Sequence, residues 1–339
     1  MQKHVSARKT EQVLHEMRGK IMKQKNMQLV SFCLLLVLLF LGVKGAETAK
    51  AEETVSFTLH KTTLLMKPGN TRTLTVKKSV LVTGSAIEEE SSLSEDTTTG
   101  TAVIWSSSNP KVATVNQKGK VMAKKAGKAI ITVQCGDAKA TCKVTVAKNQ
   151  WDYLLERYKS NSKVKQLIFV KYKGNSKARV LLYQKKAGTW KKTLSCVGNV
   201  GKNGIGKKQE GDKKTPTGTF NLPMAFGIQR NPGTKLPYTK VKSYHYWCSD
   251  PSYYNQLIDI RTHAHSCSGE HLINYRGYYD YGVFIDYNKE GIYPKGSAIF
   301  LHCQKRGEST SGCISVSKGN MKKILRSLSK GAKICIYKE

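Results

Sequence analysis

Short runs that alternate apolar and polar residues commit most of this chain to β structure. Val55-Ser56-Phe57-Thr58-Leu59, Arg72-Thr73-Leu74-Thr75-Val76, Ala129-Ile130-Ile131-Thr132-Val133 and Lys143-Val144-Thr145-Val146 read as half-buried strands. Turn residues separate them at intervals that suit an all-β sandwich over residues 54–147. Within it the acidic, Ser/Thr-rich stretch 88–100 reads as a long exposed loop. Residues 148–164 are polar and basic, with apolar positions at Trp151, Leu154, Leu155 and Tyr158, and read as a linker helix. Strands resume with Leu167-Ile168-Phe169-Val170 and Arg179-Val180-Leu181-Leu182-Tyr183. Met321, Ile324, Leu325 and Leu328 fall at helical spacing, and Gly331 is expected to end that helix. Lys333-Ile334-Cys335-Ile336-Tyr337 reads as a last strand. The expected fold class is mainly β, in two domains with few helices, which 339 residues accommodate.

One segment departs from this pattern. Residues 1–28, read as a basic cytoplasmic segment, carry seven Lys/Arg against Glu11 and Glu16. The fifteen residues 29–43, LVSFCLLLVLLFLGV, hold no charge. Basic residues ahead of an apolar run keep the N-terminus in the cytoplasm and send the downstream chain across the membrane. Residues 29–46 are therefore expected to be a transmembrane anchor or a signal peptide. The short run and Ala49-Lys50-Ala51 favour a cleaved signal, and the long basic leader favours a retained helix. The remainder is expected to be extracytoplasmic, in the cell envelope. Setting residues 1–28 aside leaves 50 basic and 21 acidic residues, a net +29. Outside the cytoplasm that charge faces anionic cell-wall polymers, and it argues against nucleic acid as a partner.

Of nine cysteines, Cys33 lies in the apolar run and eight come after it, where disulfides are permitted. Their spacings form neither a metal ribbon nor a dense scaffold. Cys135 and Cys142 flank the turn residues Gly136-Asp137-Ala138-Lys139 and could face each other across two strands. His263, His265 and Cys267 alternate, and with His271 they could offer metal ligands. A surface loop with chance histidines is the preferred reading, so no metal or other cofactor is expected.

The segment 296–316, GSAIFLHCQKRGESTSGCISV, carries the chemistry. Residues 298–303 read as a strand with His302 at its end, and Cys313 follows Gly312 just before the C-terminal helix. A thiol acyltransferase or hydrolase needs a nucleophilic sulfur, a nearby imidazole and backbone N–H groups for the oxyanion. Glycine before the cysteine allows close approach of substrate. Cys303, beside His302, is expected on the opposite face of the strand as a buried thiol.

Two resemblances sharpen these readings. Val103-Ile104-Trp105-Ser106-Ser107-Ser108-Asn109-Pro110, Val112-Ala113-Thr114-Val115, Gly119-Lys120-Val121 and Ala126-Gly127 closely resemble the group 2 bacterial Ig-like domain. That resemblance implies a spacer or adhesive module over residues 54–147. The 296–316 segment resembles the active-site motif of the L,D-transpeptidase (YkuD-type) catalytic domain. So do the block from Asn203-Gly204-Ile205 to Glu210-Gly211-Asp212 and the stretch Thr215-Pro216-Thr217-Gly218-Thr219-Phe220, the last expected to form a strand beside the cleft. Trp247-Cys248-Ser249-Asp250-Pro251, Tyr254-Asn255, His271-Leu272 and Tyr287-Asn288 resemble one branch of that family. The likeness spans residues 165–338. The commonest signature has His before the Gly and Arg or Asn two residues after the Cys, where this chain has Ser311 and Ser315.

The resemblance implies an acyltransferase that works on peptidoglycan tetrapeptide stems. Cys313 would be the nucleophile, His302 the general acid and base, and the Gly312 backbone part of the oxyanion site. Thr310, Ser311, Ser315 and His271 are the candidate substrate contacts, with Thr310 and Ser311 also able to orient His302. The thioester would pass to an amine, giving a 3→3 cross-link, or to water, giving carboxypeptidase activity. Arg261 and Lys240 are weaker candidates for substrate carboxylates, and Tyr275, Tyr278, Tyr279 and Tyr281 for a groove wall. The competing readings are a non-catalytic wall-binding or adhesive protein with a degenerate site, and a zinc peptidase built on His263, His265 and Cys267.

Overall fold

The computed structural model describes residues 54–82, 85–89, 103–263, 267–305 and 307–338. The basic segment, the expected anchor or signal helix and most of the acidic loop lie outside the described residues. Among those described, no helix is long and apolar enough to cross a membrane. Residues 55–80 and 87–339 form one compact unit.

The N-terminal part of this unit is a sandwich of short strands. A four-stranded sheet runs in the order Thr63–Met66, Ala138–Val146, Gly127–Cys135, Ile104–Ser107, and a three-stranded sheet in the order Thr71–Thr73, Lys120–Ala123, Ala113–Val115. Alternation works as the sequence implies: Ala129, Ile131 and Val133 are buried, with Trp105, Val121 and Val144 in the same core. Gly119, at φ +68°, lies against the Trp105 ring, and a Cβ there would stand 2.9 Å from it. The Cys135–Cys142 pairing that the sequence allowed does not occur. The turn is shorter than four residues, so Cys135 pairs with Ala138 while Cys142 sits opposite Ile131. That separates the two cysteines by about 13 Å along the ladder, beyond disulfide reach.

The linker helix, Gln150–Arg157, is capped by Asn149, whose side chain accepts from the Trp151 and Asp152 N–H groups. It is not a free tether. Trp151 and Leu154 pack with Leu167, Phe169 and Cys335 on one face of the C-terminal sheet.

That sheet has ten strands, in the order Gly218–Asn221, Lys333–Lys338, Gln166–Gly174, Lys177–Lys186, Thr189–Asn199, Ile314–Ser317, Phe300–Gln304, Gly282–Phe284, Ala225–Gly227, Tyr238–Lys240. It curls back on itself, since Asn221 N and Nδ2 both donate to the Asp286 carboxylate. The helix Lys318–Ser327, capped by Ser317, buries Met321, Ile324 and Leu325 in the enclosed core. Gly331 lies beyond its end rather than closing it. It serves the next turn, where a Cβ would meet the Lys163 carbonyl at 2.1 Å. A small separate sheet, Gln256–Asp259, His245–Cys248, Glu270–His271, forms a cap.

Candidate active site

The strands Phe300–Gln304 and Ile314–Ser317 pair in parallel, with Leu301 opposite Ile314 and His302 opposite Ser315. Only residues 305–313 connect them, far fewer than the helical crossover that parallel neighbours usually need. Hydroxyls tie that connection down. Thr310 Oγ1 donates to the Cys313 carbonyl at 2.6 Å and accepts from Gly312 N at 3.2 Å. Thr215 Oγ1, fully buried, donates to the same carbonyl at 3.3 Å and accepts from Gly201 N at 2.8 Å. Gly312 has φ +148°, and a Cβ there would press on Ile299 and on the Lys214 carbonyl at 3.0 and 3.1 Å.

Strand alternation sorts the side chains. Leu301, Cys303, Ile314 and Val316 face the core inside the curled sheet, whereas Phe300 and Cys313 belong to a second aromatic cluster. Cys303 is therefore the buried structural thiol that its position predicts. His302 shares the face of Phe300, and Tyr279 packs edge-on against both rings, at 5.4 and 5.6 Å. Cys313 and His302 thus lie on one face of adjacent strands, two register steps or about 7 Å apart along the strand.

Both groups are buried, at 8% and 7% exposure. Cys313 Sγ donates to the Ala298 carbonyl at 3.0 Å and accepts from Phe300 N at 3.3 Å. Ala298 presents that carbonyl from the left-handed region, at φ +52°, an uncommon conformation for a residue with a Cβ. His302 Nδ1–H donates to the Cys303 carbonyl at 2.7 Å, which leaves Nε2 as the basic nitrogen. Burial pushes the Cys313 thiol pKa well up, and Glu270 adds to this while Lys207 opposes it. Burial likewise lowers the His302 pKa to about 4 against the hydrogen bond to Cys303. The resting pair is a neutral thiol and a neutral imidazole.

The other expected contacts fall in different places. Thr310 shapes the cysteine turn and Ser311 is exposed, so the Cys303 carbonyl, not these residues, orients His302. Ser315 is buried beside His302, its hydroxyl without a partner among the described residues. His271 stacks flat on Tyr246 and donates from Nε2 to the Ser243 carbonyl, on the strand face opposite its neighbour Glu270. Arg261 is held by Asp259 and lies over Tyr244, and Lys240 donates to the Ile228 carbonyl. The tyrosines divide: Tyr279 and Tyr281 are buried in different cores, and Tyr275 stacks on Tyr279. Tyr278 stands edge-on to the His302 ring at 6.4 Å, and its hydroxyl donates to Glu308. Among the described residues of the histidine and cysteine alternation, His263 turns to the Asp259 carbonyl and the Tyr253 ring, and Cys267 lies instead with Cys248 and Asp250. His265 lies outside the described residues.

Several residues at the site carry no obvious mark in the sequence. Lys207 Nζ, almost wholly buried, pairs with Asp212 at 2.9 Å and lies 3.7 Å from where a Gly312 Cβ would stand. Burial works to raise the Asp212 pKa, but the Lys208 and Lys214 N–H groups and Lys207 outweigh it and hold it at about 2. Asn255 accepts from Trp247 Nε1 and Ala298 N, and donates to the Tyr287 and Asn288 carbonyls. Thr215, Asp212 and Asn255 all fall within the family-like blocks. Lys207 lies inside the block from Asn203 to Asp212 too, but nothing there singles it out.

Residues 166–336 match the L,D-transpeptidase catalytic domain (YkuD), and residues 53–146 match the group 2 bacterial Ig-like domain. The chain belongs to the YkuD L,D-transpeptidase family and carries a bacterial Ig-like domain ahead of the catalytic fold. Among solved structures it is similar to the helical cell shape determining protein Pgp2 from Campylobacter jejuni, at 17% identity and a TM-score of 0.31, covering 56% of each chain. It is similar also to Bd1075 of Bdellovibrio bacteriovorus, at 14% identity and 0.31, covering 53% of this chain and 50% of that one. An L,D-transpeptidase from Mycobacterium smegmatis aligns at 10% identity and 0.23, over 84% of this chain and 99% of that one. The chain thus spans about half the length of the first two. No curated protein matches its sequence.

Proposed function

We propose that this chain is an extracytoplasmic cysteine L,D-transpeptidase acting on peptidoglycan tetrapeptide stems. The supporting observation is the placement of Cys313 and His302 on one face of two paired strands, with Nε2 left basic by the Nδ1–H bond to Cys303. Substrate entry displaces the thiol from the Ala298 carbonyl. His302 Nε2 then takes its proton as sulfur attacks the carbonyl carbon next to the terminal D-Ala. The C–N bond breaks, the imidazolium returns the proton to the leaving amine, and a thioester remains. A neighbouring stem amine or water, deprotonated by the same imidazole, restores the thiol. Gly312 N–H reaches the oxyanion once the Thr310 hydroxyl turns from it, a contribution of about 3 kcal/mol. Lys207 stands beside that turn as the cation for the substrate carboxylate, where the commonest signature has Arg or Asn at the position of Ser315.

The test is D-Ala release from a disaccharide tetrapeptide, with and without an acceptor stem, followed by mass analysis. Cys313→Ala should abolish release and leave the circular dichroism unchanged. Release at the wild-type rate overturns the proposal. A second reading, a wall-binding domain without turnover, draws on the burial of Cys313 and its bond to Ala298. It expects wall binding with no product from the wild-type chain.

A further inference from the structure

We propose that Cys248 and Cys267 are a disulfide site, whose oxidation staples together the two ends of the excursion between them. Cys248 ends the strand His245–Cys248, which pairs antiparallel with Glu270–His271, Trp247 opposite Glu270. The next register step sets Gly269 against Cys248. The backbones press together there: a Cβ on Gly269 would lie 1.8 Å from the Trp247 carbonyl oxygen and 2.8 Å from the Cys248 Cα. Glycine at 269 thus lets the chain fold flat, and it brings Cys267 over Cys248. Both sulfurs and an Asp250 carboxylate oxygen lie within 4.8 Å of one another. Gly269 N donates to Cys267 Sγ at 3.4 Å, and Cys248 Sγ donates to Asp250 Oδ2 at 3.6 Å.

Asp250 fastens the two ends of the excursion independently of sulfur. It accepts from Ser268 N at 3.2 Å and from Ser268 Oγ at 2.5 Å. The cysteines are therefore held together before any bond forms, and oxidation requires little more than rotation of two side chains. The same hydrogen bonds argue against a metal, because both Asp250 oxygens are already engaged. Among the described residues the cluster has three donors and no fourth, short of a tetrahedral thiolate site.

The chemistry is thiol–disulfide exchange with an external disulfide, either a small molecule or an oxidoreductase. Cys267, the more accessible of the two, attacks as thiolate and expels one thiol of the oxidant. Cys248 then gives up its proton and attacks Cys267 Sγ, which expels the second. One disulfide is made, one is reduced, and two protons pass to the departing thiols. The bond would close the loop that carries Asn255, which supports the Ala298 backbone beneath Cys313. The oxidising exterior favours this state. The bond itself is read out in vitro, so its failure is distinct from failure of the transpeptidase reading.

The full chain is incubated with oxidised glutathione, blocked with iodoacetamide under denaturing conditions, digested without reductant and analysed by mass spectrometry. A linked peptide joining 248 to 267 is expected, and it disappears on reduction. Cys267→Ser should remove that peptide and lower Tm by about 5–10 °C in the oxidised sample only. Cys196→Ser should retain it. Recovery of both cysteines as alkylated monomer peptides overturns the proposal. So does one zinc per chain in the purified protein that shields both thiols until a chelator is added.

Discussion

At the level of single residues, the site is governed by burial. His302 is kept neutral, its pKa lowered to about 4, whereas an unfolded histidine titrates near 6.5. Between those values the unfolded chain binds the extra proton, so stability falls as pH drops. The contribution is complete above about pH 6.5 and amounts to about 3 kcal/mol over the whole window. Urea midpoints measured from pH 7 down to pH 4 should decline, and the decline should be shallower in His302→Gln. Thr215 poses a separate test. Its hydroxyl bonds the Cys313 carbonyl and accepts from Gly201. Thr215→Val keeps the shape but leaves Gly201 N–H unpartnered, costing about 1–3 kcal/mol. It should lower kcat for D-Ala release more than it raises KM, because the cysteine turn loses definition while the substrate contacts remain.

At the level of elements, sequence pattern and structure agree where information is local. Period-two burial in Gly127–Cys135 and the apolar face of Lys318–Ser327 follow directly from residue order. Met321→Ala, in the enclosed core, should cost about 2–5 kcal/mol, measured by chemical denaturation. Agreement fails where a single residue sets register. Gly136, at φ +56°, allows a turn two residues shorter than expected, which widens the offset between Cys135 and Cys142 from two register positions to four. It fails again where partners are distant in sequence. The bond between Thr215 and Cys313, the approach of Lys207 to Gly312 and the support of Ala298 by Asn255 each join segments dozens of residues apart. His302 and Cys313 were legible because a strand, a glycine and a cysteine sit close together in sequence. The surroundings of Thr310, Ser311 and His271 were not, since the tertiary path of two loops sets them.

Over the whole molecule, charge and architecture act together. A net +29 beyond residue 28 accompanies an Ig-like domain and a YkuD-type fold. Binding to anionic wall polymers should weaken as salt screens it, with a Debye length of about 8 Å at physiological ionic strength. Co-sedimentation of Cys313→Ala with purified walls checks this, and the bound fraction should fall steadily between low and high salt.

The bond from the Cys313 thiol to the Ala298 carbonyl has one more consequence. Beyond the cytoplasm, peroxides and stray disulfides threaten any exposed thiolate. A sulfur that stays protonated, donates to a backbone oxygen and is packed among aromatic rings is a far weaker nucleophile toward them than a thiolate. On the proposed function, the thiol would rest in a protected form, released only when a ligand takes the place of the Ala298 carbonyl.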